Sequence, residues 1–225
     1  MAESTTRSKN KQRRRDAILG EAQRVIGEQG FDALNLRALA EAASVTVPTI
    51  YNLIGSKDAV LIALIERAVT RIEKALENFE AATALEHAEA VVIQSTAIFE
   101  ADENFYRAAM IAGEHLDSRE DHLGRSGWIH ARSTEMAAHA CRIGQRDGQL
   151  RWDIASDMLA GQMYALYRTA LYDWTHRMIS IEEFRTIALR GFYICLAADA
   201  TDDFRATLLE RMAALSEPGT ASRAA

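Results

Sequence analysis

The chain has 225 residues, of which 48% are hydrophobic and 26% charged, and its formal net charge at pH 7 is -6. This composition is typical of a folded globular protein and excludes a chain that is disordered throughout. Only two prolines are present, whereas average usage near 5% would give roughly eleven. Because strands need frequent turns and helices need few, this scarcity disfavours a β-sandwich or a loop-rich enzyme and predicts an all-α protein.

Positive charge is concentrated at the N-terminus. Residues 1–15 carry six basic side chains and one acidic one, whereas residues 61–225 have a net charge of -8. A basic segment before an acidic body is typical of proteins that touch phosphate with one domain and bind something else with another, although a solubilising tail would have the same charge. We expect a basic flexible arm over residues 1–12.

The N-terminal apolar spacing predicts the helices of a small bundle. A helix over residues 13–29 places its apolar side chains on one face and is closed by Gly30. Asn35 can cap a short second helix, which is followed by a break at Ser44 and Val45. The short helix and the tight break after it are the first half of a helix-turn-helix.

Thr46 can cap the third helix, in whose first turn Pro48 loses no intrahelical hydrogen bond. A fourth helix is predicted to begin after Ser56 and to run to about residue 79. Four helices within eighty residues, with a tight break between the middle two, predict a helix-turn-helix within a small bundle.

Longer helices are predicted beyond residue 81, over 88–100, 105–115, 128–144, 156–176 and 181–199. The last of them opens with the capping-box pair Ser180 and Glu183. The helices over 156–176 and 181–199 carry wide apolar stripes, so we expect them to form a subunit interface, with burial inside a larger monomeric core as the alternative. Residues 216–225 read as a disordered tail.

Neither cysteine nor any apolar segment indicates a secreted or membrane protein. Cys141 and Cys195 lack metal-ligand spacing and are expected to be small buried residues in a reducing compartment. The longest apolar run covers only residues 59–65, whereas crossing a bilayer takes roughly twenty residues. No secretory signal is visible behind the polar N-terminus, so a cytoplasmic location is expected.

Several motifs of residues 13–65 occur together at a specific spacing. They are Gly30-Phe31, Leu39-Ala40, Ala42 to Thr46, Thr49-Ile50-Tyr51 and Ser56-Lys57-Asp58. This segment closely resembles the N-terminal domain of the tetracycline-repressor (TetR) family of bacterial transcriptional regulators. Residues 148–153, Trp174 and residues 179–184 resemble the family's usual final two helices more weakly.

The resemblance implies a DNA-binding helix-turn-helix over residues 13–57. The third helix would enter the major groove, and Tyr51 and Lys57 would hold phosphates. Val47 and Pro48 depart from the residues common in the family and offer no donor, so base reading would depend on thymine methyl groups, on Thr49 and Asn52, and on DNA shape. The implied DNA-contact residues are Arg37, Thr46, Val47, Pro48, Thr49, Tyr51, Asn52 and Lys57.

Lys57 also has a physical argument of its own. A cation at the start of a helix opposes the helix dipole, so its presence there is unfavourable until an anion binds both the lysine and the free N–H groups. A DNA phosphate would be such an anion, whereas the alternative is a solvated lysine.

The resemblance also implies a second domain over residues 81–215 that binds a small effector and forms a homodimer, joined by a linking helix over 58–80. Effector entry would change the spacing of two helix-turn-helix units held about 34 Å apart, and so release a palindromic operator. No cofactor and no metal are expected. Aromatic, methionine and polar side chains of the middle helices are the candidate effector contacts: Phe99, Tyr106, Met110, Trp128, Met136, His139, Met163 and Tyr167.

Three other functions are alternatives to an effector-controlled repressor: an enzyme, an activator and a regulator controlled by a protein partner. An enzyme is disfavoured because no nucleophile, metal or phosphate-loop motif is visible. His115 and His122, with Glu114, Asp117 and Asp121, read as a polar loop rather than a metal site. His87, His130 and His176 stand isolated in the sequence. An activator, or a regulator controlled by a protein partner, would keep the same fold.

Overall fold

The protein is described by a computed structural model over residues 2–79, 81–117 and 123–215. Within these residues the chain is helical without β-strands, and one isolated antiparallel bridge joins Leu150 to Ala200. The all-α prediction is therefore confirmed. The helices are α1 (Ala2–Gln29), α2 (Leu36–Ala42), α3 (Val47–Leu53), α4 (Lys57–Glu77), α5 (Ala84–Glu100), α6 (Glu103–Asp117), α7 (Leu123–Arg146), α8 (Ser156–Thr175), α9 (Ile181–Asp199) and α10 (Asp202–Ala214).

The chain forms two compact units, and their boundaries fall inside helices. The first unit comprises Met1–Arg71 and Ile98–Ile129, and the second comprises Ile72–Ala97 and His130–Ala225. The proposed linking helix over 58–80 corresponds to α4, whose residues up to Arg71 belong to the first unit. The division of the chain into a DNA-binding domain, a linking helix and an effector-binding domain stays a prediction.

The N-terminal basic segment is helical. Helix α1 begins at Ala2, not at Arg13, so the expected flexible arm over residues 1–12 is an extension of α1 from Ala2 onward. No proline or glycine separates the basic residues from the apolar stripe. Nothing in the local sequence therefore ends the helical backbone before that stripe begins.

The first unit packs α1 against α2, α3 and α6. Ile18 and Ile26 of α1, Leu39 of α2 and Ile50 of α3 are buried in it. Helix α6 lies close to α1, because a Cβ atom at Gly27 would stand 3.3 Å from the Cβ of Phe105. The amide of Gln23 on α1 donates to the carboxylate of Asp102, just before α6, at 2.7 Å. Close packing and this polar contact join α6 to the N-terminal helices.

The turn between α2 and α3 closes α2 with a Schellman motif. The N–H of Val45 donates to the carbonyl of Ala40 at 2.8 Å, and that of Ser44 donates to the carbonyl of Glu41 at 3.0 Å. The motif needs a left-handed residue after the C-cap, and Ser44 has φ +52°. Serine adopts this backbone at a steric cost that glycine avoids. Ser44 is therefore a structural residue of the turn.

In the second unit α9 packs against both α8 and α10. The predicted capping box is confirmed, because Ser180 accepts from the N–H of Glu183 while the Glu183 carboxylate accepts from the N–H of Ser180. The expectation that residues 181–199 form the last helix is wrong. Ala200, the C-cap residue of α9, has an extended backbone, and Thr201 is the N-cap residue of a further helix, α10. Phe204 and Leu208 of α10 are buried.

The disordered-tail prediction for residues 216–225, which contain Pro218, lies outside the described residues. Helix α5 is longer than predicted at its N-terminal end, and α6 and α7 are longer than predicted at both ends. Polar residues such as Glu103 occupy the extra turns, and a search by apolar spacing does not count them. Among the described helices, none is both long and apolar enough to cross a membrane.

Candidate functional site

Helix α3 presents a polar and aromatic face to solvent. Ile50 is fully buried and attaches α3 to the first unit, whereas the next residue, Tyr51, is 56% exposed. Pro48 and Asn52 are exposed with it. The helix can therefore offer hydrogen-bonding and apolar groups to another surface without disturbing its own core.

The start of α3 uses its two threonines in an unexpected way. Thr46 is the N-cap residue, as predicted, but its side chain makes no capping hydrogen bond to the backbone. Its hydroxyl instead forms a 2.9 Å hydrogen bond with the hydroxyl of Thr49. Pro48 has no N–H, so one of the two donors that a cap normally satisfies is missing. The two threonines thus form one hydroxyl pair at the exposed end of α3.

Arg37 lies exposed in the first turn of α2. The predicted cap of that helix is confirmed, because the Asn35 side chain accepts from the N–H groups of Arg37 and Ala38. The Asn35 oxygen lies 2.8 Å from the backbone nitrogen of Arg37. The cap satisfies the backbone and leaves the Arg37 guanidinium outside that interaction.

Lys57 is the first residue of α4 and is only partly exposed. Its ammonium donates to the carbonyl of Asp32 at 3.0 Å and stands 4.6 Å above the ring of Phe31. Lys57 therefore joins α4 to the short 3-10 turn of residues 31–33, a structural contact that sequence reasoning missed. An ammonium has three donors, so a phosphate can still be bound by the others.

The eight candidate effector residues divide between the two units. Phe99, Tyr106, Met110 and Trp128 belong to the first unit. The rings of Phe99 and Tyr106 pack with centroids 5.0 Å apart, and both side chains are buried. Burial raises the pKa of Tyr106, against the lowering influence of the Arg71 guanidinium on α4. Trp128 is 42% exposed.

Met136, His139, Met163 and Tyr167 belong to the second unit. Tyr167 packs against Phe184 of α9 at a centroid distance of 5.2 Å, and burial raises the pKa of its phenol. The buried Met163 accepts a 3.9 Å contact from the thiol of Cys141. His139 is exposed on α7. The assignment of these residues to an effector stays a prediction.

His87 is not isolated, so the prediction from its sequence position is wrong. Its ring packs edge-on against that of His139, with centroids 4.7 Å apart. The two residues lie 52 positions apart on α5 and α7. No local motif could have brought them together. His130 and His176 likewise pack against the rings of Tyr164 and Tyr172.

Metal-binding side chains are not assembled in the part of the chain that the structure describes. No group of three or more His, Cys, Asp or Glu residues in that part could hold a metal ion. Glu114 and His115 belong to the last turns of α6 rather than to a loop, and Asp121 and His122 lie outside the described residues. Both cysteines are free and buried, as expected, and burial raises the pKa of Cys141 to about 12.

The fold defines an all-helical protein with an N-terminal helix-turn-helix. Two solved structures share it at low sequence identity. SmeT, the repressor of the Stenotrophomonas maltophilia multidrug efflux pump SmeDEF, has a TM-score of 0.64 at 22% identity over 84% of this chain and 92% of its own. A TetR transcription regulator from Haloarcula marismortui reaches 0.69 at 13% identity over 84% of this chain and 98% of its own.

Sequence comparison identifies the helix-turn-helix more closely. Residues 18–64 match the family model described as bacterial regulatory proteins, tetR family. The HTH-type transcriptional repressor KstR of Rhodococcus jostii is 28% identical over 129 residues, which is 56% of this chain. The matched region spans 61% of that repressor's length. Residues 18–64 are therefore a match to the N-terminal domain of the tetR family, and the chain is similar to a curated repressor over 61% of that repressor's length.

Proposed function

We propose that the protein is a DNA-binding transcriptional regulator, acting as a homodimeric repressor that a small hydrophobic effector releases from a palindromic operator. The observation that carries the proposal is the exposed face of α3 within a helix-turn-helix of the tetR family. Ile50 anchors the helix while Tyr51 and Asn52 remain exposed beside it. Such a helix can enter the major groove without unfolding its own bundle.

The DNA contacts divide into two chemical roles. Arg37, Tyr51 and Lys57 are proposed to bind phosphates and so to set the position of the protein on the duplex. Thr49 and Asn52 are proposed to read base edges, with Val47 and Pro48 supplying apolar contact to thymine methyl groups. Because Thr46 and Thr49 share a hydrogen bond, their hydroxyls would act at the groove as a pair.

The homodimer is proposed to form through α8 and α9. These helices pack closely, because a Cβ atom at Gly191 would stand 3.1 Å from the Cβ of Leu166. Both nevertheless keep large apolar side chains exposed, which two copies of the helix pair could cover in a four-helix bundle. These side chains are Met158, Leu166 and Tyr172 of α8, and Ile187 and Ile194 of α9.

The test is retardation of labelled DNA from upstream of the protein's own gene in a native gel. The expected result is a complex that forms on an inverted repeat and survives an excess of random-sequence competitor. Asn52→Ala should weaken this complex. Gln12→Ala, at an exposed position of the N-terminal extension of α1, is the control that tests whether any side-chain truncation weakens the complex. A protein that binds no DNA specifically would overturn the proposal.

A separate measurement tests how the protein is controlled. If hydrophobic compounds fail to release the DNA complex, a protein partner replaces the small effector as the controlling species. Transcription from the bound promoter then separates a repressor from an activator, because transcription rises when a repressor is removed and falls when an activator is removed.

A further inference from the structure

His87 is a buried polar residue of the second unit. It lies on α5, is 6% exposed, and packs its ring against His139 of α7. It also hydrogen-bonds to the backbone of Met136 on α7. Met136 and His139 are two of the residues that the sequence puts forward as effector contacts, so His87 stands directly beside them.

One nitrogen of the His87 ring has no hydrogen-bond partner among the described residues. That nitrogen is Nε2, so the hydrogen bond to Met136 is made by Nδ1. Because this hydrogen bond raises the pKa of His87, Nδ1 donates to the Met136 carbonyl. The neutral ring then holds its proton on Nδ1, and Nε2 presents a lone pair.

The His87 ring is neutral at pH 7. Burial, and then the neighbouring His139 and Arg142, lower the pKa of His87 to about 4. Nε2 is therefore an acceptor, and leaving a buried acceptor without a donor is unfavourable. Native structures leave few such atoms, so each one calls for an explanation.

Of a metal ion, a carboxylate and a hydroxyl group, the surroundings of Nε2 favour the hydroxyl group. A metal ion needs further ligands, and no group of three metal-binding side chains is assembled in the described residues. A carboxylate has no proton to donate at pH 7. A hydroxyl group donates one hydrogen bond and needs no change of charge, which suits a neutral ring inside an apolar unit.

We propose that His87 accepts, through Nε2, a hydrogen bond from the hydroxyl group of a neutral and otherwise apolar ligand, and that Met136 and His139 flank this polar anchor. The inference rests on the proposed function only in treating the ligand as an effector, because binding of the hydroxyl group to His87 does not depend on DNA. It makes His87 of α5 a specificity-determining residue, a role that the sequence did not indicate for it.

The experiment uses phenol and anisole, which differ by replacement of the hydroxyl proton with a methyl group. Binding to the full-length protein is measured by nitrogen NMR of labelled histidine rings and by titration calorimetry. His87→Asn keeps a donor near the Nδ1 position and removes Nε2. His176→Asn is the matched control, because it makes the same change at an exposed histidine of the same unit.

Phenol should shift the resonance of the unprotonated His87 nitrogen, whereas anisole and benzoate should leave it in place. In His87→Asn the dissociation constant for phenol should rise about tenfold, with that for anisole unchanged. His176→Asn should bind phenol as the wild type does. An Nε2 resonance that ignores phenol, or responds to phenol and anisole alike, would overturn the proposal, as would stronger binding of benzoate.

Failure of this inference can be told apart from failure of the proposed function. Wild type and His87→Asn are run together in the gel assay, where both should retard the upstream DNA because His87 is not part of the helix-turn-helix. Retardation without phenol discrimination removes the hydroxyl anchor and keeps the regulator. Discrimination between phenol and anisole without retardation of the DNA keeps the hydroxyl anchor and removes the regulator.

Discussion

The helix-turn-helix and the second unit place their polar groups in opposite ways. In the helix-turn-helix these groups are exposed, and their partners are close in sequence: Asn35 caps α2 two residues away, and Thr46 pairs with Thr49 three residues away. In the second unit, beside local pairs such as the capping box of α9, several polar groups are half-buried or buried and have partners far away along the chain. Tyr193 donates to Glu89 across 104 positions at 2.6 Å.

Asp199 is the strongest case in the second unit. Its buried carboxylate accepts from the backbone N–H groups of Trp152, Asp153 and Ile154 at 3.0 to 3.2 Å. This holds Trp152, which is 67% exposed, in a left-handed backbone with φ +69°. The comparison teaches that the recognition surface depends on local backbone chemistry, whereas the second unit depends on long-range pairing of buried polar groups.

The largest expected effect is at that carboxylate. Asp199→Ala should lower the free energy of unfolding by about 4 kcal/mol, because it leaves three buried or half-buried N–H groups without an acceptor. Urea unfolding followed by circular dichroism measures it. Asp203→Ala, at an exposed position on α10, should change stability by less than about 0.5 kcal/mol. Equal losses in the two variants would show that the long-range pairing contributes nothing special.

His87 predicts a pH dependence of the second unit. Its pKa is lowered to about 4, so between pH 6.5 and pH 4 the unfolded state binds a proton that the folded state refuses. The stabilisation is complete above pH 6.5 and is lost as the pH falls toward 4, by up to about 3 kcal/mol. Thermal melts at each pH should show a smaller acid loss in His87→Asn, and parallel curves would contradict the assignment.

Gly55 tests how strictly local geometry governs the helix-turn-helix. It has φ +129°, and an added Cβ would stand 2.9 Å from the Cβ of Ala59. Gly55→Ala should therefore cost about 2 kcal/mol of stability and weaken DNA binding by displacing the start of α4. Gly20→Ala, in the open middle of α1, should instead raise stability by up to about 1 kcal/mol. Both are measured by urea unfolding.

Lys57 combines a structural contact with a proposed phosphate contact. Lys57→Met keeps the stem over Phe31 but removes the hydrogen bond to Asp32. The variant should lose about 1 kcal/mol of stability and bind all DNA sequences less tightly, with a smaller salt dependence. Tyr51→Phe should weaken DNA binding without loss of stability. Unchanged DNA affinity in a folded Lys57→Met would leave Lys57 a structural residue only.

Ser44 carries the smallest expected effect. Ser44→Gly relieves the left-handed backbone at φ +52° and should stabilise the protein by about 0.5 kcal/mol, after the larger backbone entropy of glycine is subtracted. Ala43→Gly, at a position with φ -82°, has no such strain to relieve and should destabilise. A calorimetric melting temperature distinguishes the two signs.

The sequence predicted the elements of the recognition surface closely because their signals are local. Caps, the break at Ser44 and the first turn around Pro48 are decided by residues within a few positions of one another. The same reasoning missed the extension of α1 to Ala2, the helix α10 and the contact of Lys57 with Asp32. The last two depend on packing or on a partner beyond the local window, whereas the extension of α1 was missed because it lies outside the apolar stripe from which the helix was predicted.

The sequence by itself determined that this protein is helical and where α2, the turn at Ser44 and α3 lie. Those features follow from backbone propensity, capping and apolar spacing, which act over one or two helical turns. Only the tertiary structure decided that His87 meets His139 and that Asp199 binds the loop before α8. Such pairs are set by how distant helices pack, and no periodicity along the chain records which residue will be opposite which.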